Sequence, residues 1–400
     1  MVKSANKNPS QEFQIFEGRH AGTRPAKRPR RRKHGWEKQP HRLLKFIYEM
    51  TFPSQPGSWA LTNAAFKRGG FDEIVWKGAT NDQIISIALS GTTSYHGPDW
   101  PWDYEISIQG ERYGNFRVVR ESLQLRRGTD IPADDLIETV GVERHLCDIQ
   151  RQRRSSIQDP SRSALEYEIP DWPGNFLRYA IASWHFYELV PFAMRSPNQT
   201  GKVGFLQEHG ENLSQWLLNL QTEHYDDSFA RIQQVLKDSL PQVSGLFSSQ
   251  TQQATVALGC REKYLARPVT LTQMSAGELA FIAFLSPIYG PPELTGGLYC
   301  VEDIENYLHP RLIETLLQVL RQSQEEWGRK GQAAQIVMTT HSPLVVDRTK
   351  LDEILFVEKR EGATVCSRPA DKANLQKVLQ DGEVGLGDLV YSGALSDAGR

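Results

Sequence analysis

The spacing of apolar and polar residues changes several times along this chain, and each change marks a boundary. LLKFIYEM (43–50) has its apolar side chains at helical spacing. QIISIALS (83–90), DYEISIQG (103–110) and GNFRVVRESLQL (114–125) instead alternate with the two-residue period of half-buried strands. These runs predict an antiparallel β layer. From about 130 to 240 the pattern reads as mostly helical and polar. In ENLSQWLLNLQTEHYDDSFARIQQVLKDSL (211–240), Leu213, Trp216, Leu217 and Leu220 form one face, which predicts an inserted helical lid or arm. Sustained heptads are absent, which argues against a long coiled coil.

After residue 268 the order becomes regular. TLTQMSAGELAFIAFLSPIYG (270–290) places a small-residue turn, Ser275-Ala276-Gly277, ahead of an apolar helix. GGLYCVED (296–303) reads as a buried strand, PRLIETLLQVLRQSQEEW (310–327) as an amphipathic helix with Pro310 at its first position, and AQIVMTTHSP (334–343) as a second strand. EILFVEKREGATVCSR (353–368) closes as a hairpin turning near Gly362. Helix, strand, helix, strand predicts an α/β unit with a helix-covered parallel sheet, whose ligand groups gather at the carboxyl ends of the strands. The expected organisation is a basic tail (1–42), a lobe with the antiparallel layer (43–130), a helical insertion (131–267) and the α/β lobe (268–400).

Composition adds bounds. The chain has 400 residues, 39% of them hydrophobic and 24% charged, with a net charge of -2. That balance excludes a global attraction to nucleic acid or anionic lipid and leaves only local patches. One such patch is evident: Arg19 to Arg42 holds ten Lys/Arg against the single acid Glu37. The bland reading is a solvated, disordered tail, and the sharper one is a nucleic-acid contact. Four cysteines, Cys147, Cys260, Cys300 and Cys366, lie far apart without a C-x-x-C pair, so they read as small core residues in a reducing compartment. No apolar run approaches membrane-spanning length and no signal-peptide core is present, so the expected location is cytoplasmic.

The candidate chemistry sits at the strand ends. Glu302 and Asp303 follow the first strand, and adjacent carboxylates can divide two tasks, one anchoring Mg²⁺ and the other polarising an attacking water. Ser275 and Gly277, with the helix running on from Glu278, offer a hydroxyl and amides to an anion. His341 ends the second strand, within reach of a phosphate or the water. Each feature also has a plainer reading: a solvated strand end, an N-cap with Glu in the first turn, a turn histidine.

Taken together, the motifs resemble those of ABC-type ATPases of the RecF/SMC/OLD-like class with AAA-21 domains, over roughly residues 69 to 392. MSAGELAFIAFL resembles the ABC signature, LYCVEDIENYLHP the Walker B segment and D-loop, and TTHSP the switch histidine, while RGGFDEIVWKG resembles the segment after the family's first helix. The resemblance implies Mg²⁺ on Glu302, Asp303 where the catalytic Glu belongs, a D-loop of Glu305 and Asn306, a switch at His341, and ATP as cofactor. It also implies hydrolysis between two head-to-tail subunits, in a homodimer or a heterodimer with a loop-competent partner, and DNA repair or anti-phage defence as the setting, with DNA as a further partner.

Two departures matter. Ile304 replaces the usual Pro, and Asp303 is one methylene shorter than Glu. More seriously, G-x-x-x-x-G-K-[ST], whose amides and Lys cradle phosphates, occurs nowhere. The nearest frame is GWEKQPHR, Gly35 to Arg42, in which Pro40, His41 and Arg42 stand where Gly, Lys and Ser/Thr belong. The expectation is therefore an ATPase of this class whose phosphate loop has been lost. The alternatives are a non-hydrolysing subunit that lends its signature face to a partner, and a nucleic-acid-binding scaffold using the basic tail.

Overall fold

The computed structural model describes residues 14–17, 40–55, 58–75, 84–94, 99–110, 116–127, 132–291, 297–330, 334–360, 363–368 and 385–391. Arg19–Gln39, with most of the basic segment, and Gly362 at the predicted hairpin turn lie outside them. Contacts divide the chain into two units, Met1–Trp184 with Asp352–Pro369, and His185–Leu351 with Ala370–Arg400.

The first unit is built on a seven-stranded antiparallel meander: β1 (Gln14–Glu17), β2 (Ile84–Ser94), β3 (Asp99–Gly110), β4 (Phe116–Leu125), β5 (Asp134–Val140), β6 (Glu143–Cys147) and β7 (Arg153–Ile157), in sequential order. Two-residue alternation produces the inner face, and β4 shows how it survives an interruption. Ser107 pairs with Arg120 but Ile108 with Val118, so Val119 is an extra residue. This bulge shifts the phase, and Phe116 and Val118 point inward together with Glu121, Leu123 and Leu125. Buried Glu121 accepts hydrogen bonds from the Tyr104 hydroxyl (2.8 Å), the Ser163 hydroxyl (2.7 Å) and the Ala164 N–H (2.8 Å). Helices α1 (Pro40–Thr51), α2 (Ala60–Phe66), α3 (Phe71–Ile74) and α4 (Asn175–Ala182) belong to the same unit. Leu44, Ile47 and Met50 bury the face of α1 that its sequence spacing predicts.

The second unit begins at His185 within β8 (Trp184–Tyr187), followed by α5 (Pro191–Met194), β9 (Asn198–Gln199), α6 (Leu213–Glu223), α7 (Ala230–Ser239), β10 (Val243–Gln250), β11 (Thr255–Glu262) and β12 (Val269–Thr270). It continues with α8 (Ala276–Ile288), β13 (Gly297–Val301), α9 (Pro310–Arg329), β14 (Ala334–Met338), α10 (Pro343–Asp347) and α11 (Leu386–Tyr391); the antiparallel hairpin β15 (Phe356–Arg360) and β16 (Ala363–Ser367) falls in the first unit. β13 and β14 pair in parallel, Gly297 opposite Ala334 and Val301 opposite Met338. β8 flanks β13 on its other side. Every residue of β13 is buried, as expected of a strand covered on both faces. α8, buried from Leu279 to Leu285, and α9, through Leu312, Ile313, Leu316 and Leu320, join the same core as Leu213, Trp216, Leu217 and Leu220 of α6.

The fold class is the predicted α/β class, with an antiparallel layer in the first unit and a parallel sheet in the second. The stretch read as mostly helical is in fact mixed, since residues 131–267 carry β5 to β11 among their helices. Short strands at 134–157 are dense in charge because one face and the turns are wet, and that polarity masks their period. α8 starts at Ala276, two residues before the expected Glu278. Among the described residues no helix is long and apolar enough to cross a membrane. Cys300 and Cys260 are buried as core residues, and burial pushes the Cys300 thiol up; Cys260, buried near Glu278 and Glu262, is raised to about 11.

Candidate functional site

Three strands end at one edge. β13 releases Glu302 and Asp303, β14 releases Thr339, Thr340 and His341, and the N–H of Glu302 donates to the carbonyl of Tyr187, the last residue of β8, at 2.8 Å. The His185 ring stacks on Tyr299 of β13 at 5.2 Å, so residues 185 and 187 of β8 follow 299 and 302 in the same order, and β8 runs in the direction of β13. β8 is thus a third parallel strand. Four residues, WHFY, show no alternation, which is why the sequence pattern did not reveal it.

Beyond Val301 the chain turns sharply. Asp303 adopts a left-handed φ of 48° and Tyr307 one of 68°. Asp is among the non-glycine residues that tolerate this region best. The Asp303 N–H donates to the Thr339 hydroxyl oxygen at 2.9 Å, and that hydroxyl donates back to Asp303 Oδ1 at 3.3 Å. One carboxylate oxygen is thereby oriented, and Oδ2 stays clear of this pairing. Buried Ile304 and Leu308 pin the loop from below, and the Asn306 N–H closes it onto the Asp303 carbonyl at 2.9 Å.

Glu305 connects this loop to the end of β14. Its Oε2 accepts from the Thr340 hydroxyl at 2.8 Å and its Oε1 from the backbone N–H of His341 at 2.6 Å. Hydrogen bonds to an ionised acceptor are the stronger kind. Asn306 and the His341 side chain stay exposed, with Glu302, Asp303 and Glu305 partly buried. Three acids within four residues repel one another, so a divalent cation compensates them well, and their oxygens are the hard donors that Mg²⁺ prefers.

Ser275 and Glu278 form a capping box: the Ser275 hydroxyl oxygen accepts from the Glu278 N–H at 3.2 Å, and the Glu278 carboxylate from the Ser275 N–H at 2.8 Å. Glu278 therefore caps its own helix and occupies one amide that an anion would otherwise take. The remaining offer is the exposed Ser275 hydroxyl with the amides of Ala276 and Gly277. The Arg195 guanidinium donates to the Met274 carbonyl at 2.7 Å, just ahead of the cap. Gly277 sits so close to the loop after β13 that a Cβ there would lie 2.8 Å from the Tyr307 carbonyl oxygen. The structure thus brings Glu302, Asp303, Glu305, Thr339, Thr340 and His341 together, and sets the start of α8 against the same loop. Thr339, to which the sequence pattern assigns no role, orients Asp303.

Of the frame GWEKQPHR, Gly35 to Gln39 lie outside the described residues. Pro40, His41 and Arg42 are the first turn of α1 in the first unit, with His41 buried.

A family model described as "AAA domain, putative AbiEii toxin, Type IV TA system" matches residues 138–347, slightly more than half of the chain and the whole stretch from Ser275 to His341. No curated protein matches. Solved structures similar to the chain include the Smc head bound to the C-winged helix domain of ScpA, at 12% identity over 86% of this chain and 89% of that one, with a TM-score of 0.44. An Smc head domain with an extended coiled coil, bound to the C-terminal domain of ScpA from Pyrococcus furiosus, is 12% identical over 85% of this chain and 89% of that one, with a TM-score of 0.41. The SMC head domain from Thermotoga maritima is 12% identical over 79% and 88%, with a TM-score of 0.33.

Proposed function

Because the chain belongs to the AAA_21 family of AAA domains, we propose that the edge formed by β13 and β14 is the hydrolytic half of a Mg²⁺–ATP site, completed by a phosphate loop that this sequence does not contain. The observation that supports this most is the bond set joining the two strand ends, Asp303 to Thr339 and Glu305 to Thr340 and His341.

Glu302 is the Mg²⁺ ligand in this reading. Bound there, the ion would neutralise phosphate charge. Asp303 takes a proton from the attacking water at Oδ2, because Oδ1 already accepts from Thr339. Its shorter side chain lengthens the reach to that water, which makes turnover slow. His341 faces the terminal phosphate from the neighbouring strand end, and Glu305 holds the backbone that carries it. Ser275 and Gly277 act on nucleotide held by a second subunit, and Glu305 and Asn306 serve as the D-loop of that assembly.

The missing phosphate loop favours one further form of the reading, in which the chain is a non-hydrolysing subunit of a complex with a loop-competent partner. DNA, contacted through Arg19–Arg42, is the macromolecular partner of either form, in repair or anti-phage defence. The direct test is Mg²⁺-dependent nucleotide binding by the chain mixed with a loop-competent family member. Glu302→Gln is expected to weaken the Mg²⁺-dependent part and Asp303→Asn to spare binding; equal, mild effects of both would leave the acids as a solvated strand end. DNA binding that falls steeply with salt and disappears on deletion of residues 19 to 42 supports the DNA partner.

A further inference from the structure

The same sheet edge carries another set of ligating side chains. Immediately after β8 comes Glu188, and a returning segment, Glu208–His209, runs beside it. The Glu188 N–H donates to the Glu208 carbonyl at 3.0 Å and the Val190 N–H to the His209 carbonyl at 3.2 Å, a short ladder that fixes the two segments against each other. Leu189 and Leu206 are buried and anchor both. One ligand atom from each of Glu188, Glu208 and His209 falls within 4.8 Å of the other two. None of these residues belongs to the acid pair or the switch.

The histidine is oriented in advance. Its Nδ1 lies 2.8 Å from the Glu188 carbonyl oxygen, so Nδ1 carries the proton of the neutral ring and Nε2 keeps the lone pair. Metal-binding histidines commonly have their second nitrogen held in this way. The His209 N–H donates to the Glu211 carboxylate at 2.9 Å. Gly210 then turns the chain at φ 76°, where a Cβ would lie 2.9 Å from Met194. The backbone carrying the ligands is therefore constrained by its own contacts.

We propose that Glu188, Glu208 and His209 bind one divalent transition-metal ion of the Mn²⁺/Zn²⁺ class. An imidazole nitrogen between two carboxylates suits these borderline ions, whereas Mg²⁺ demands an octahedron of oxygens. Three protein ligands leave coordination positions to water, the arrangement of an exchangeable site. Glu188 is exposed and Glu208 and His209 are partly buried, so the ion can enter from solvent. The proposal does not depend on the nucleotide reading.

The test is equilibrium dialysis of the full chain, stripped with chelator and free of nucleotide, against Zn²⁺ or Mn²⁺ in excess Mg²⁺. One ion per chain is expected. Binding should vanish in His209→Ala and weaken in Glu188→Gln by at least the roughly tenfold that losing even an outer partner costs. Glu188 is exposed, so Glu188→Gln keeps the fold, which circular dichroism checks, and Glu302→Gln should retain the ion. Absence of saturable binding by the unaltered chain would overturn the proposal, as would binding unchanged in both His209→Ala and Glu188→Gln, or binding lost only in Glu302→Gln.

Discussion

The carboxylate of Glu305 holds the backbone of His341: Oε1 of the first accepts the N–H of the second at 2.6 Å, across 36 positions of sequence. The other oxygen takes the Thr340 hydroxyl, so one side chain fixes the start of the loop that presents His341. Glu305→Gln places an amide N–H₂ against one of these donors and is expected to cost about 1–3 kcal/mol. Thr340→Val should cost less, and the two together less than their sum, because both remove the same bond. Urea titration of the four proteins measures this; strict additivity would mean that the contact contributes nothing.

Gly277 and Tyr307 make a second junction. A methyl group at 277 would meet the Tyr307 carbonyl oxygen at 2.8 Å, so Gly277→Ala must push α8 or the loop after β13 aside. Overpacking of this kind costs about 1–3 kcal/mol. Thermal unfolding is expected to show a clear fall, whereas Gly204→Ala, where a Cβ meets nothing within 4 Å, should change little.

The capping box separates structure from function at Ser275. Ser275→Ala removes an acceptor for the Glu278 N–H and should cost about 1 kcal/mol. Glu278→Gln keeps an acceptor for the Ser275 N–H and should cost only tenths of that. If Ser275 also serves nucleotide in a partner, Ser275→Ala will lower turnover of the mixed assembly far beyond what its stability loss explains, while Glu278→Gln will not. Parallel loss in both variants would reduce Ser275 to a cap.

Much of this geometry was legible in the pattern of the chain, and the rest was hidden for physical reasons. The buried run Leu298–Val301 and the amphipathic spacing of 310–327 identify β13 and α9, since burial on both faces or on one leaves a clear periodic trace. The acids 302–303 and the cluster 339–341 follow from strand ends. β8 left no such trace in its four residues. The Glu305–His341 bond could not be read either, because its donor is a backbone N–H, which every residue but proline has. Glu188 and Glu208–His209 lie 20 residues apart in a stretch that read as a polar lid; only the ladder between them places them together.

His185 provides a pH signature. Burial among Tyr187, Phe205 and Tyr299 lowers its pKa from an ordinary 6.5 to about 4. The unfolded chain then binds the extra proton first as pH falls. The contribution is fully present above pH 6.5 and is lost as pH falls toward about 4. It amounts to no more than about 3 kcal/mol. His185→Phe keeps the aromatic packing and should flatten the stability profile in that window relative to the unaltered chain, measured by urea titration at stepped pH. An unchanged slope would mean that the ring is protonated in place.

The central claim is that the acid pair and switch form a hydrolytic half-site lacking only its phosphate grip. ATP turnover tests it most directly, measured on the unaltered chain, on the Asp303→Asn, His341→Ala double variant, and on the chain given the strand-loop-helix start of a loop-competent family member. Backbone amides and a Lys hold the β and γ phosphates, so the account predicts equal, background turnover for the first two and Mg²⁺-dependent turnover in the third that Asp303→Asn abolishes. Turnover by the unaltered chain well above the double variant, or grafted activity indifferent to Asp303, would contradict it.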